Sequence, residues 1–260
     1  MISGFLIVWR LAKAYGIKSE QLFDLAFYAL IFGLLGARIY YVAYLWDYYS
    51  GHLLDILKFW QGGLAVHGIM LGGFGAIFFY ARKKKLDFWL WADLIVVGLS
   101  FGQIIGRWGN YFNQEVFGRP TDLSWGIPID LANRPVEFAA SGFFHPTFLY
   151  ESLWSVVIFS VLLIWQLVRI RRQATGDKGL ATSDKRQGVS YGNIFLVYLI
   201  LYSLGRFCNE FLRIDQMPEI FGLRWAQIMS ILIFVLVILT IIIRQYKIFK
   251  GSKGRTIITH

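Results

Sequence analysis

The sequence predicts an all-α fold, a polytopic integral membrane helical bundle. Of its 260 residues, 57% are hydrophobic and 18% are aromatic, and the mean hydropathy is +0.53. These values are too apolar for a soluble domain with a polar surface. Six segments reach the roughly 20 apolar residues that a membrane-spanning helix needs, and basic residues gather in alternate connections between them. We therefore expect six full spans, a short N-terminal helix and a small outer cap.

The predicted spans follow one another along a single domain of residues 1–250. Residues 1–9 are too short to cross a bilayer alone and are predicted to be a partial seventh span. Residues 251–260 are predicted to form a tail. The full spans are predicted at about 22–45, 63–81, 87–106, 147–168, 190–208 and 225–244.

The basic residues predict the orientation of these spans. By the positive-inside rule, the connections that carry most lysines and arginines lie in the cytoplasm. They are 10–18, 82–85, 169–186 and 244–255. The C-terminus is then cytoplasmic, and the connections 46–62, 107–146 and 209–224 face outward. The 107–146 connection contains three prolines among turn formers and is predicted to form a small extracytoplasmic cap, whereas the polar segment 173–190 is predicted to be a flexible cytoplasmic linker.

The charge and the single cysteine exclude several classes of protein. A net charge of +10 could indicate nucleic-acid binding, but the basic residues form short clusters between apolar runs rather than one continuous face. These clusters instead indicate which connections face the cytoplasm and where the protein contacts anionic lipid. With Cys208 as the only cysteine, neither an intrachain disulfide nor a thiol metal cluster can form, and we expect a packed membrane cysteine. No metal-ligand spacing such as H-E-x-x-H is present, so neither metal nor cofactor is predicted.

The stretch "GRWGNYFNQEVFGRP", residues 106–120, places much polarity at the end of an apolar run. A helical Arg107 would share a face with Asn110, and Asn113 would continue that stripe. One arginine fork with two amides is a donor-rich site for an anion such as phosphate, and Glu115 can pair with an arginine. A polar helix terminus is the alternative, although it needs fewer polar residues.

Two earlier spans carry a polar residue close to their predicted outer ends. Arg38, in "GLLGARIYYV", either snorkels to the interface or belongs to a site. His67, in "GGLAVHGIMLGG", is flanked by glycines that permit close approach of a ligand, and it could accept a proton. A hydrogen-bonded structural histidine is the alternative.

The segment "HPTFLYES" opens the span that begins near residue 147. We expect His145, before a proline, to end the preceding loop. Tyr150 and Glu151 enter the apolar stretch, where charge is costly, and are predicted to complete a polar site.

The segment "GRFCNEFLRID" spaces Arg206, Glu210 and Arg213 by four and three residues, which predicts one helical face. This ladder has a surplus arginine that suits an anionic substrate, although a structural ion-pair network is also consistent with it. It and the 106–120 stretch are predicted at the same outer membrane depth, which favours one site between helices and open to lipid.

These segments resemble, in order, the polar motifs of the bacterial prolipoprotein diacylglyceryl transferases. The 106–120 stretch is similar to the family pattern G-R-x-G-N-[FY]-x-N-x-E-x-[WYF]-G, and the resemblance covers residues 1–245. It implies an enzyme of the bacterial inner membrane with its active site toward the outer leaflet. Such enzymes move the diacylglyceryl group of phosphatidylglycerol to the lipobox cysteine of a preprolipoprotein, form a thioether and release glycerol phosphate.

The resemblance also implies roles for individual residues. The family's essential arginines correspond to Arg107 and Arg206, which are expected to bind the lipid phosphate. His67 is the expected general base, and Glu210 either orients Arg206 or is an alternative base. Gly118 is expected to allow a tight turn over the headgroup pocket. The other substrate-binding candidates are Asn110, Asn113, Glu115, Arg213, Arg38, Tyr150 and Glu151.

One departure and two rival functions accompany this resemblance. Family members usually begin with a further apolar stretch that carries a "WYG"-like segment, whereas this sequence starts within what resembles the second half of that span. A tyrosine from that part contributes to the site in relatives, and if this start is real we expect its role to be absent or filled by another residue. A transporter or channel for an anionic solute is the main rival, but the polar residues gather on one side and no internal repeat is visible. Another lipid-modifying enzyme, acting on a different phospholipid, would use similar arginines.

Overall fold

The computed structural model describes residues 2–175, 191–215 and 217–256, and its helices account for every predicted span. Most of the predicted 173–190 linker lies outside the described residues, as do the last four residues of the chain. Within the described ranges the α-helices are α1 Ile2–Ala14, α2 Ser19–Tyr44, α3 Trp46–Tyr49, α4 Val66–Lys83, α5 Phe88–Phe112, α6 Thr147–Ala174, α7 Asn193–Glu210 and α8 Trp225–Thr256.

Four of these helices, α2, α5, α6 and α8 as far as Tyr246, are long and apolar enough to cross a membrane, with mean window hydropathies between 1.7 and 2.9. They leave large apolar side chains exposed, such as Leu30 and Ile242, as lipid-facing helices do. The helical membrane class is thus confirmed. Helices α4 and α7 form where spans are predicted but have 18 residues each, so six full spans stay a prediction.

Helices α5, α6 and α8 run well past their predicted ends. Helix α5 continues through Arg107 to Phe112, where Gln114 takes a left-handed φ of 48°. The Glu115 amide then donates to the Asn110 carbonyl at 3.0 Å, the long backbone hydrogen bond of a Schellman-type end. Helix α8 continues to residue 256, into the segment predicted as a tail, because no proline interrupts the sequence after residue 225.

The chain packs as two compact units, Leu6–Leu94 and the described residues of Met1–Phe5 with Ile95–His260. In the Leu6–Leu94 unit, α2 and α4 are the main packed pair. A Cβ added at Gly36, Gly68 or Gly72 would collide with facing backbone. Glycine is therefore what allows these two helices to touch along part of their length.

In the other unit, α6, α7 and α8 pack together and the 113–146 segment forms a small folded cap. Its extended residues 118–121 pair with residues 143–145 and with residues 212–213. Phe117, Ile129 and Phe144 form its buried core. Two short hairpins are exceptions to the all-α expectation: β1 Ile127–Pro128 pairs with β2 Phe143–Phe144, and β3 Glu219–Ile220 with β4 Leu223–Arg224.

Candidate active site

The carboxylate of Glu151, in the first turns of α6, is a meeting point for three arginines. Its Oε2 lies 2.5 Å from Nε of Arg107 on α5. Its Oε1 lies 3.3 Å from Nη1 of Arg206 on α7 and 3.4 Å from Nη1 of Arg213. Asn209 Nδ2 also donates to Oε1, at 2.5 Å. With only 9% of its side chain exposed, Glu151 joins the two arginine-bearing segments, which therefore lie next to each other in this unit.

A second carboxylate, Glu210, is fully buried at the end of α7 and lies between two guanidiniums. Its Oε2 is 2.9 Å from Arg206 Nη2, and this is the ion pair on one helical face that the four-residue spacing predicts. Its Oε1 is 2.9 Å from Nη1 of Arg224, in β4. Arg224 also donates to the backbone carbonyls of Glu210 at 3.2 Å, of Arg213 at 2.9 Å and of Asp215. Arg224 therefore fastens the 211–224 loop against the buried carboxylate.

Arg213 does not form the third rung of the predicted helical ladder, because α7 ends at Glu210. Its Nε instead donates to Asp215 Oδ1 at 2.8 Å. Burial alone would raise the pKa of Asp215, but the Arg213 hydrogen bond and the charges of Arg213 and Arg224 hold that pKa below its ordinary value. Burial alone would lower the pKa of Arg213, and the bond and charge of Asp215 raise it above the ordinary value. Both groups therefore stay charged.

The network as a whole carries one positive charge in excess. It joins four guanidiniums, those of Arg107, Arg206, Arg213 and Arg224, to the three carboxylates of Glu151, Glu210 and Asp215. Buried arginines that already have partners are held in place. The excess charge favours an anion in this part of the protein.

A cavity of about 360 Å³ adjoins this network and combines charged and apolar walls. The aromatic side chain of Trp154 fits closely over Gly205, where a Cβ would collide with the indole ring, and Trp154 Nε1 donates to the Leu201 carbonyl at 2.9 Å. Cys208 is exposed, contrary to the expectation of a packed cysteine. The cavity is lined by Arg107, Tyr150, Glu151, Trp154, Ser155, Tyr202, Leu204, Gly205, Arg206, Cys208, Asn209 and Leu212.

The amides predicted beside Arg107 form a separate cluster at the end of α5. Asn110 Nδ2 and Asn113 Nδ2 both donate to Glu115 Oε1, at 2.9 and 3.2 Å. Among the described residues, Glu115 pairs with these amides and with no arginine. Arg107 forms its ion pair with Glu151 instead. The cluster is well organised, but it is not the partner of Arg107 that the sequence suggests.

Gly118 lies in a β-bridge with Arg213 rather than in a turn. A Cβ at this position would lie 2.8 Å from His145 Cβ and 3.0 Å from the Leu212 carbonyl oxygen. Only glycine therefore lets the three chain segments of the cap meet here.

Tyr150 contributes its hydroxyl group to the wall of the cavity. The hydroxyl oxygen accepts a hydrogen bond from Trp125 Nε1 at 2.9 Å and lies 3.1 Å from His145 Nδ1. These contacts tie the cap to the start of α6. They also give His145 a hydrogen-bonded place at the loop end.

Arg38 belongs to the Leu6–Leu94 unit and neither snorkels nor offers an open guanidinium. Its Nε donates to the carbonyl of Ile56 at 2.8 Å, its Nη1 to those of Gly62 and Gly63 at 2.9 and 3.0 Å, and its Nη2 to that of Asp55 at 2.5 Å. Arg38 thus organises the 55–63 loop through hydrogen bonds to four carbonyls, and a substrate contact stays a prediction.

His67 belongs to the same unit as Arg38, in the first turn of α4. Its exposed ring stacks on Tyr40 with centroids 5.7 Å apart. Among the described residues, no hydrogen-bond partner occupies its ring nitrogens. The role of His67 as a general base stays a prediction.

Sequence reasoning missed three members of the network: Arg224, Asp215 and Asn209. Asn209 and Asp215 lie inside the quoted "GRFCNEFLRID" motif, and their polarity beside the arginines is a signal that could have found them. Arg224 stands in a connection predicted to be outward-facing and ordinary. Its partner Glu210 is 14 residues away, so no local spacing indicates the pair. Among the described residues no cluster of His, Cys, Asp and Glu could hold a metal ion.

Comparison with known proteins supplies a family. The family model described as prolipoprotein diacylglyceryl transferase matches residues 1–243. A phosphatidylglycerol--prolipoprotein diacylglyceryl transferase from Thermosynechococcus vestitus is 40% identical over 238 residues, which cover 90% of this chain and 82% of that protein. Proteins of the same name from Acaryochloris marina and Synechocystis sp. are 41% and 40% identical, over 89% and 91% of this chain and 78% of each relative.

Proposed function

This chain belongs to the prolipoprotein diacylglyceryl transferase family, and we propose that its transfer of a diacylglyceryl group from phosphatidylglycerol to a prolipoprotein takes place in the cavity beside Glu151. The observation that carries this proposal is that Arg107 and Arg206 line a cavity with partly apolar walls. Both belong to a network of four arginines and three carboxylates that carries one positive charge in excess. A phospholipid needs both: guanidiniums for its phosphate and apolar side chains for its tails.

Arg107 and Arg206 are the proposed phosphate ligands. A guanidinium has five N–H donors, and toward the described carboxylates Arg107 uses only Nε. Its two terminal nitrogens are thus suited to an incoming phosphate oxygen. Arg206 is held from two sides, by Glu151 and Glu210, and presents a preorganised charge that need not rearrange during the reaction.

The reaction proceeds by attack of the substrate's own cysteine. A thiol with a reference pKa of about 8.5 loses its proton to a base. The thiolate forms a bond to the glyceryl carbon, the C–O bond to phosphate breaks, and the electron pair of that bond leaves with the glycerol phosphate. Guanidiniums stabilise the charge that grows on the departing oxygen.

His67, in the Leu6–Leu94 unit, is the proposed base because of the resemblance to the family. Its exposed ring has no hydrogen-bond partner among the described residues. Glu210 is less suited to that role, since it is fully buried between Arg206 and Arg224. We assign Glu210 to the orientation of Arg206.

The remaining candidates shape the substrate pocket. Asn110, Asn113 and Glu115 form a polar cluster suited to the hydroxyl groups of the headgroup. Tyr150 lines the cavity itself. Gly118 permits the close packing of the cap. Arg213 holds the Glu151 carboxylate in place, and Arg38 holds the 55–63 loop in place.

The charge pattern and the helices support a proposal for the number of membrane spans and their orientation. We propose that α4 and α7 also cross the bacterial inner membrane, which gives six full spans, with the C-terminus in the cytoplasm. The cavity then lies toward the outer leaflet, where lipobox peptides of prolipoproteins and phosphatidylglycerol meet. The 107–146 connection contains no lysine, which supports this orientation.

The test uses purified protein in nanodiscs that contain phosphatidylglycerol, together with a lipobox peptide. We expect the peptide mass to increase by one diacylglyceryl group, with no increase for a peptide whose cysteine is serine or for nanodiscs of phosphatidylcholine alone. Absence of the product with wild-type protein would overturn the proposal. Arg107→Ala and Arg206→Ala should each lower kcat/KM by about 100-fold to 1000-fold, and the matched control Arg119→Ala, an exposed arginine of the cap, should not. A normal rate for His67→Gln would remove it as the base.

A further inference from the structure

A second cavity, of about 550 Å³, lies between α2 and α4 in the Leu6–Leu94 unit. None of its lining residues belongs to the candidate active site. Its apolar walls include Phe32 and Phe79, and one end carries Lys83 and Lys84. We call this cavity the lysine groove.

The groove exists because the two helices part along their length. Near Gly68 and Gly72 their backbones touch, and an added Cβ would collide with the facing helix. One turn further along α4, a Cβ on Gly75 would meet nothing within 4 Å, and Gly75 and Ala76 line the groove. Small residues thus leave an apolar channel between the helices.

The end of the groove near the C-terminus of α4 is polar. Tyr80 Oη donates to Asp24 Oδ2 at 3.1 Å, and the Tyr28 ring packs against that of Tyr80 with centroids 5.7 Å apart. Lys83 and Lys84 are exposed, and neither ammonium has an ion-pair partner among the described residues. Two cations thus stand beside tyrosine and carboxylate groups at the mouth of an apolar channel.

We propose that the lysine groove binds an anionic phospholipid as a ligand that is not consumed. One acyl chain lies along Gly75 and Ala76, the phosphate faces Lys83 and Lys84, and Asp24 accepts a hydrogen bond from a headgroup hydroxyl. The charge and the shape together select this occupant, because lysines beside a lipid surface attract anionic headgroups. The bound lipid fills the space that α2 and α4 leave open.

The test is native mass spectrometry of the full-length protein, delipidated in detergent and titrated with dioleoylphosphatidylglycerol or dioleoylphosphatidylcholine. Wild-type protein should bind one phosphatidylglycerol that persists in the active-site variant Arg206→Ala. Replacement of both Lys83 and Lys84 by glutamine should weaken this binding roughly 30-fold, about fivefold per lysine. Gly75→Leu should abolish it, because Gly75 lines the groove and an added Cβ there meets nothing within 4 Å, so the larger side chain fills space that the lipid would occupy.

Matched controls separate the groove from general effects. Lys85→Gln removes a neighbouring charge outside the groove, and Gly102→Leu adds the same side chain at another helical glycine with open space around it. Both should bind as wild type does. Equal binding by the groove variants and wild type would overturn the proposal, as would equal weakening by Lys85→Gln or equal affinity for phosphatidylcholine. Because the Arg206→Ala protein reports the groove alone, failure here leaves the active-site proposal standing.

Discussion

Replacement of Arg224 by methionine tests whether the buried network depends on a residue far from its helices. Methionine keeps much of the side-chain length but removes the guanidinium 2.9 Å from Glu210 Oε1 and the hydrogen bonds to three backbone carbonyls. Glu210 is then left buried with Arg206 as its described cation.

The expected loss follows from the distance and the burial. Coulomb's law with an effective dielectric constant of about 20 gives roughly 6 kcal/mol for unit charges at 2.9 Å. Removal of one partner from a buried ion pair typically costs about 3–5 kcal/mol. Since Glu210 retains Arg206, we expect the lower end, about 3 kcal/mol of folding free energy.

The assay is unfolding of the purified protein in mixed detergent micelles by increasing sodium dodecyl sulfate, followed by tryptophan fluorescence. Arg119→Gln is the control, because the exposed Arg119 has no ion pair among the described residues and should change stability by less than about 0.5 kcal/mol. In a double-mutant cycle with Glu210→Gln, Arg224→Met should show a coupling of about 2 kcal/mol. Coupling near zero, or equal midpoints for Arg224→Met and Arg119→Gln, would refute the reasoning.

Three further outcomes are expected. Gly118→Ala should lower the free energy of unfolding by about 1–3 kcal/mol, since its Cβ would lie 2.8 Å from His145 Cβ. The control Gly142→Ala, where a Cβ meets open space, should leave it unchanged. Equal unfolding midpoints for the two variants would contradict this. The exposed Cys208 lines the cavity, so N-ethylmaleimide should react with its thiol. Bound phosphatidylglycerol should slow this reaction. An unchanged labelling rate would show that the lipid binds elsewhere. The pKa of Asp215 is lowered in the folded protein, so its ion pairs add stability above its unfolded pKa of about 3.9. This stability is lost as the pH falls from that value through the lower folded pKa. The unfolding midpoints of wild type and Asp215→Asn should therefore differ at pH 6 and begin to converge below about pH 4; a constant difference would show that charge is not the cause.

The local features of the site could be predicted from the sequence. Spans follow from runs of apolar residues, and helical spacing predicts the Arg206–Glu210 pair that the structure confirms at 2.9 Å. Arg107 is helical and on the same helix as Asn110, as predicted. These features depend only on residues three or four apart, so a sequence contains them directly.

The tertiary pairings could not be predicted in the same way. Arg107 has a nearby acidic residue in Glu115, yet its partner is Glu151, 44 residues further along the chain. That choice depends on how α5 and α6 pack. Arg38 shows the same limit: its position near a helix end fits snorkelling, but backbone carbonyls of the following loop take its donors.

The distribution of partners explains how a membrane protein holds so many arginines. Each unpaired charge inside a bilayer costs on the order of 2.5–3.5 kcal/mol on insertion scales. Here Glu151, Glu210 and Asp215 neutralise all but one of the four guanidiniums. The carboxylates thus lower the cost of burying the arginines and fix their positions before a lipid arrives. Because Glu151 contacts three of these arginines through one carboxylate, an arriving phosphate meets guanidiniums already aligned, and its binding energy is not spent on ordering them.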